Sequence, residues 1–174
     1  ELHYLNPKRG IEEMGEMGEM GEVEPAAVLV CRQFVDKMLG AGAADECMHE
    51  TVRMKRRGQV DKQALMLGKV KNKNARWNNT IGEDFVAPDI ANKQGTVVAY
   101  ADYPTLSKLE GVLKSFQMQD AHPARLIGEL NLYYDVSKCG IGFHGDRERD
   151  LVAGVRLGEA TKQMTMMFQG YYKG

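Results

Sequence analysis

Apolar positions change their period along this chain. Ala27-Val28-Leu29-Val30-Cys31 is a short continuous apolar run of β type, and directly after it Phe34, Val35, Met38 and Leu39 recur at helical spacing. Gly40 and Gly42 interrupt that pattern. A second helix is predicted from Ala43 to about Met54, closing in the basic knot Arg53, Lys55, Arg56 and Arg57, where cations suit the negative end of the helix dipole. Leu65 to Val70 reads as a strand that opens a polar, basic loop from Lys71 to Asn79, and Gly95 to Tyr100 is another β-type run. Pro104 fits the first position of a helix whose apolar face is Leu106, Leu109, Val112, Leu113 and Phe116, and His122-Pro123 closes that region.

The last third is the most regular. Leu126 to Tyr134, Ile141 to His144, Asp150 to Leu157 and Lys162 to Phe168 read as four short strands joined by short polar connections. Connections of that length cannot make parallel crossovers, so antiparallel pairing is expected. Helices first and strands afterwards make the fold class α+β, with a double-stranded β-helix (jelly-roll) core after the helices. Residues 10 to 24 differ in kind, with Glu-Met-Gly three times in succession. Glycine every third residue works against a free helix, so residues 1-25 are expected to form a flexible acidic leader, or an arm ordered against a partner, ahead of one domain over 26-174.

Composition narrows the picture only a little. The 174 residues suit one domain with an ordinary core. A net charge of −1 argues against a surface that is basic throughout, while leaving room for a local basic patch. Cys31, Cys47 and Cys139 are odd in number and unpatterned, which suggests neither a disulfide framework nor a zinc cluster and points to a reducing, intracellular compartment. No apolar run is long enough to cross a bilayer and no basic-then-apolar leader opens the chain, so a soluble protein without a membrane span is expected. Glu1 in place of Met, and Tyr171 to Gly174 directly after the last predicted strand, suggest a piece of a longer protein.

Candidate chemistry centres on His144-Gly145-Asp146, between two predicted strands. Residues one apart on an extended segment project to the same side, and a His-x-Asp pair can supply two of the three ligands of a facial Fe(II) site. Taken alone, such a histidine is more often a hydrogen-bonded structural residue. The flanks change that balance. Asn131-Leu132-Tyr133 lies on the preceding strand, and Leu151-Val152-Ala153-Gly154-Val155-Arg156-Leu157-Gly158 follows.

This order resembles the AlkB-like Fe(II)/2-oxoglutarate-dependent dioxygenases, over roughly Ala26 to Gly170 and most strongly after Arg125. Arg76-Trp77-Asn78, followed by Gly95-Thr96-Val97-Val98, is similar to a branch of these proteins found in bacteria, algae and large viruses. The resemblance implies oxidative demethylation or hydroxylation of a nucleobase. His144 and Asp146 would be iron ligands, and Asn131 and Tyr133 would bind the cosubstrate 2-oxoglutarate. Arg147 and Glu148 would hold the substrate nucleotide at the mouth of the site. Arg76, Trp77 and Asn78 would belong to its lid, with Trp77 stacking on an extruded base.

The same residues have plainer readings. Trp77 is commonly a packing residue, the lysines beside it solvating groups, and Asn131 and Tyr133 ordinary alternation on a half-buried strand. The family's pattern also continues where this sequence does not. No histidine follows His144, and no arginine follows Lys162 to pair with the far carboxylate of 2-oxoglutarate. Loss of such an arginine costs roughly 2-5 kcal/mol of cosubstrate binding, so the chain as it stands is expected to be inactive and to bind neither iron nor cosubstrate tightly. The alternative is a non-catalytic structural or adaptor subunit of a larger assembly, with protein partners covering an open sheet edge. A nucleic-acid binder using Lys69 to Arg76 ranks third, because the net charge is near neutral.

Overall fold

A computed structural model describes residues 1-4, 27-116, 126-145, 151-158 and 163-168. The Glu-Met-Gly stretch, His122-Pro123 and Asp146, Arg147 and Glu148 lie outside the described residues. Two compact units divide the chain, one of Glu1–Phe34 with Met166–Gly174, the other of Val35–Thr165.

In the first unit, β1 (Leu2–Tyr4) pairs antiparallel with β2 (Ala27–Leu29), His3 opposite Val28. The predicted apolar run thus becomes a strand. Glu1 extends the pairing, its carbonyl accepting the Val30 N–H at 2.8 Å. Its carboxylate accepts two bonds from the Arg32 guanidinium, both at 3.2 Å.

The second unit carries the helices and the larger sheet. Helix α1 (Phe34–Leu39) runs into α2 (Ala43–Arg56) through glycines in the left-handed region, Gly40 at φ 106° and Gly42 at φ 83°. Asp36 bridges the break by accepting the Ala44 N–H at 2.9 Å. Buried Ala43, Cys47, Glu50, Thr51 and Met54 form one stripe along α2, as a 3.6-residue period requires. Pro104 begins α3 (Pro104–Ser115), which buries Leu106 and Leu109. A carboxylate from the neighbouring helix serves its first turn: Glu50 accepts the N–H groups of Thr105 at 3.0 Å and Leu106 at 2.9 Å. These are donors that no intrahelical carbonyl can reach.

Between the helices lie a hairpin and part of a sheet. Strands β3 (Gln63–Met66) and β4 (Lys69–Asn72) pair antiparallel around Leu67 and Gly68. Both turn residues have positive φ, 51° and 74°, the signature of the type I′ turn that matches strand twist. Strand β5 (Trp77–Gly82) is central, with β6 (Val97–Ala99) parallel on one side and β7 (Gly128–Leu132) antiparallel on the other. The antiparallel pairing expected in the last third holds for β7, while β5 and β6, earlier in the chain, pair parallel. The excursion over 83-96 supplies the required crossover without a helix, held by a bridge between Val86 and Val97. Ile81, Val98, Tyr103, Leu106 and Met54 are buried in the core of this unit.

Among the described residues the architecture is α+β, with several small sheets, three α-helices and one 3-10 turn. Of the four strands expected in the last third, only β7 is formed among the described residues. Residues 141-145, 151-158 and 163-168 carry no strand. Their alternation finds no ladder partner there, and Phe143 and Val152 are each 59 % exposed. A two-residue pattern becomes a strand only where a neighbour accepts its hydrogen bonds. Among the described residues no helix is long and apolar enough to cross a membrane.

Candidate functional site

Strand β5 organises the candidate residues, because a strand turns alternate side chains to opposite faces. Asn79 and Ile81 are buried, while Arg76 and Asn78 belong to the other alternation. Asn79 is fastened by its Nδ2, which donates to the Gln59 carbonyl at 2.7 Å. Asp61 ties the hairpin to the sheet: its backbone N–H donates to the Asn78 carbonyl at 2.8 Å. Its carboxylate accepts the Thr96 hydroxyl at 2.6 Å and N–H at 2.9 Å.

On the β5 and β7 pair, Asn78 stands opposite Asn131 and Trp77 opposite Leu132. Arg76 Nε donates to Asn131 Oδ1 at 2.6 Å, and Asn78 Oδ1 accepts from Lys73 Nζ at 2.5 Å. Burial pulls the Lys73 ammonium below its ordinary pKa, with Asp61 opposing and Arg76 adding to that shift. Trp77 stacks on Tyr134, centroids 4.3 Å apart and planes inclined by 23°. Lys62 and Lys55 lie over the same indole at 4.7 and 5.6 Å from its centroid, within cation–π range.

The Tyr134 hydroxyl donates to the carbonyls of Asn74 at 3.2 Å and Lys73 at 3.4 Å, so the basic loop is held against the aromatic pair. The turn after β7 closes on the same loop, the Gly140 N–H donating to the Ala75 carbonyl at 3.1 Å. Asp135 caps that turn by accepting the Ser137 N–H and hydroxyl, at 3.0 and 2.6 Å. Those bonds, with the one from Lys138, hold its carboxyl at about 2.

Two of the residues given substrate roles, Arg76 and Asn78, therefore meet Asn131, which was given a cosubstrate role, while Trp77 stands opposite Leu132. Tyr133 is half-buried just past β7, and it is its neighbour Tyr134 that stacks on Trp77. His144 is exposed, with Nδ1 2.8 Å from the Gly142 carbonyl. Asp146, Arg147 and Glu148 lie outside the described residues. Among the described residues no group of three His, Cys, Asp or Glu side chains stands close enough to hold a metal ion.

Sequence reasoning missed Lys55, Lys62, Asp61 and Tyr134. Nothing in their local pattern places 55 and 62 over residue 77, since only the docking of hairpin and helix on the sheet does so. A charge count along the chain carries part of the signal. Between 53 and 82 there are nine Lys or Arg and a single acid, Asp61, in a chain whose net charge is −1. A neutral total therefore conceals a strongly basic segment.

No family model matches the chain, and no solved structure matches it. Over 128 residues, 74% of its length, it is 37% identical to "Uncharacterized protein R156" of Acanthamoeba polyphaga mimivirus. The match covers 47% of that protein, so the chain spans about half the length of the curated relative it matches.

Proposed function

We propose that this chain supplies the nucleic-acid-facing part of an Fe(II)/2-oxoglutarate-dependent oxygenase of AlkB-like type, acting on a methylated or otherwise modified nucleobase. The observation that carries the reading is the Arg76–Asn131 bond beside the Trp77–Tyr134 stack and its two lysines. One small surface there offers cations for phosphates, an aromatic ring for a base, and an amide on the strand that the resemblance assigns to the cosubstrate. Iron with 2-oxoglutarate would supply the oxidising chemistry, with His144 and Asp146 as its ligands in a jelly-roll core. The residues of this chain would bind the strand through Lys62, Lys73 and Arg76, stack the target base on the Trp77 cluster, and orient the cosubstrate through Asn131 and Tyr133. Arg147 and Glu148 would hold the nucleotide at the mouth of the site. A reducing intracellular compartment suits its free Cys31, Cys47 and Cys139.

The test is product release. The full gene product, given Fe(II), 2-oxoglutarate and a methylated single-stranded oligonucleotide, is expected to form succinate and formaldehyde in equal amounts. Oligonucleotide binding with no succinate on any methylated base would sink the oxygenase reading.

A second reading, as a structural or adaptor subunit, is favoured by a different observation. Ile127 is 76 % exposed, Ile141, Phe143 and Val152 are exposed as well, and β7 pairs with β5 alone among the described strands. A protein partner that adds a strand to β7 would cover this apolar surface. Co-purification as a stoichiometric complex, with no succinate formed, would select it.

A further inference from the structure

A cleft of about 530 Å³ opens between the base of the β3–β4 hairpin and the 89-94 turn, and it shares Lys62 and Lys73 with the strand-binding surface proposed above. Its lining includes Lys62, Lys73, Lys93 and Asp61, with Leu65 and Ile90 among its apolar residues. The volume lies within the range of small-ligand sites, which combine an apolar wall with a few placed polar groups. Three lysines and one carboxylate line it; the carboxylate is engaged by the hydroxyl and N–H of Thr96, and the Lys62 ammonium lies over Trp77. Lys73 donates to an uncharged partner, Asn78. Counted by residue, the lining therefore carries three cations to one acid.

Lys93 adds an independent sign. It closes the turn in which Asp89 and Gln94 exchange both backbone hydrogen bonds, at 2.8 and 2.9 Å. Its φ is 59°, a left-handed conformation that glycine adopts without steric cost and a long side chain does not. The turn by itself calls for glycine. A lysine there puts a cation on the rim of the cleft at the expense of backbone strain, and strain of this kind gathers at binding sites.

We propose that this cleft binds the phosphate of a nucleotide, with Lys93, Lys62 and Lys73 as its cationic partners and the Leu65 and Ile90 wall against the sugar or base. The ligand is a free mononucleotide or one nucleotide of a single strand, since both present the same phosphate. The inference shares a nucleotide ligand with the proposed function, and it needs neither iron nor 2-oxoglutarate.

The experiment is a calorimetric titration of the full chain, in chelator and without 2-oxoglutarate, with adenosine 5′-monophosphate in one arm and a short single-stranded oligonucleotide in the other. Saturable binding of the monophosphate identifies a free nucleotide as ligand, and binding of the oligonucleotide alone identifies a strand. In either case Lys93→Gly is expected to weaken binding about tenfold, the loss of one charge-assisted contact, while the thermal midpoint stays level or rises because the turn is relieved. Lys93→Arg is expected to retain binding. Absence of binding in both arms, or affinity that Lys93→Gly and Lys93→Glu leave unchanged, would overturn the proposal. Succinate release is read separately, so an empty cleft with active turnover rejects this site and spares the oxygenase reading.

Discussion

Arg76 and Asn131, 55 positions apart in sequence, are joined by a 2.6 Å hydrogen bond from the guanidinium Nε to the amide oxygen. The bond spans the β5 and β7 pair diagonally, since the residue directly opposite Asn131 is Asn78. It holds Asn131 on the edge of the basic surface and fixes which amide atom faces Arg76. Under the proposed function Asn131→Ala is expected to weaken 2-oxoglutarate binding by about tenfold. Folding stability should change by no more than about 0.5 kcal/mol, because both side chains are at the surface. Equilibrium dialysis of the cosubstrate beside a denaturation curve separates the two effects, and unaltered affinity would remove Asn131 from the site.

Glu50 fastens the N-terminus of α3 to α2. Glu50→Ala leaves the buried Leu106 N–H and its Thr105 neighbour without an acceptor and is expected to cost about 2-3 kcal/mol. Glu50→Gln keeps the shape with one acceptor oxygen and should cost about half as much. Urea denaturation of the two variants checks the order. Equal losses would mean that packing, rather than the pair of hydrogen bonds, sets the effect.

The hairpin turn offers a change in the other direction. Leu67 is 97 % exposed and sits at φ 51°, where asparagine is better tolerated than a leucine. Leu67→Asn is expected to stabilise the protein by about 0.5-1 kcal/mol, read as a raised thermal midpoint, and to leave any activity unchanged.

Cys47 is fully buried on the inner stripe of α2, and burial first, then Glu50, Asp36 and Glu46, push its thiol up to about 11. A folded-state value above the ordinary 9.0 means that the thiol contributes its full stability below about pH 9 and loses it as pH rises through about 11. Denaturation midpoints should therefore fall across that interval, and less so in Cys47→Ala. At pH 8 an alkylating reagent should modify exposed Cys31 and spare Cys47 until the protein unfolds, which mass spectrometry of digested peptides would show.

Local pattern made much of the second unit legible. The period of three to four residues over Ala43 to Met54 and Leu106 to Leu113, with Pro104 at a helix start, reports burial on one face, and that physics is local. The same holds for the apolar run that became β2 and the one that became β6. Pairing is a different matter. Alternation over Ile141 to His144 or Leu151 to Leu157 records only a preference for two unlike faces, and a strand exists where another segment completes its hydrogen bonds.

The candidate site divides along the same line. Arg76, Trp77, Asn78 and Asn131 could be singled out from their order in the chain, because motif order survives in sequence. That Arg76 grips Asn131, that Tyr134 rather than Tyr133 meets the indole, and that Lys55 and Lys62 lie over it were decided by the tertiary structure alone. Each depends on how a hairpin, a helix and a sheet dock, and those contacts join residues tens of positions apart that no local period couples. The net charge of −1 carried no trace of the basic segment over 53-82, since a sum over the chain has no position, and folding is what sets two of its lysines, Lys55 and Lys62, over the Trp77 ring.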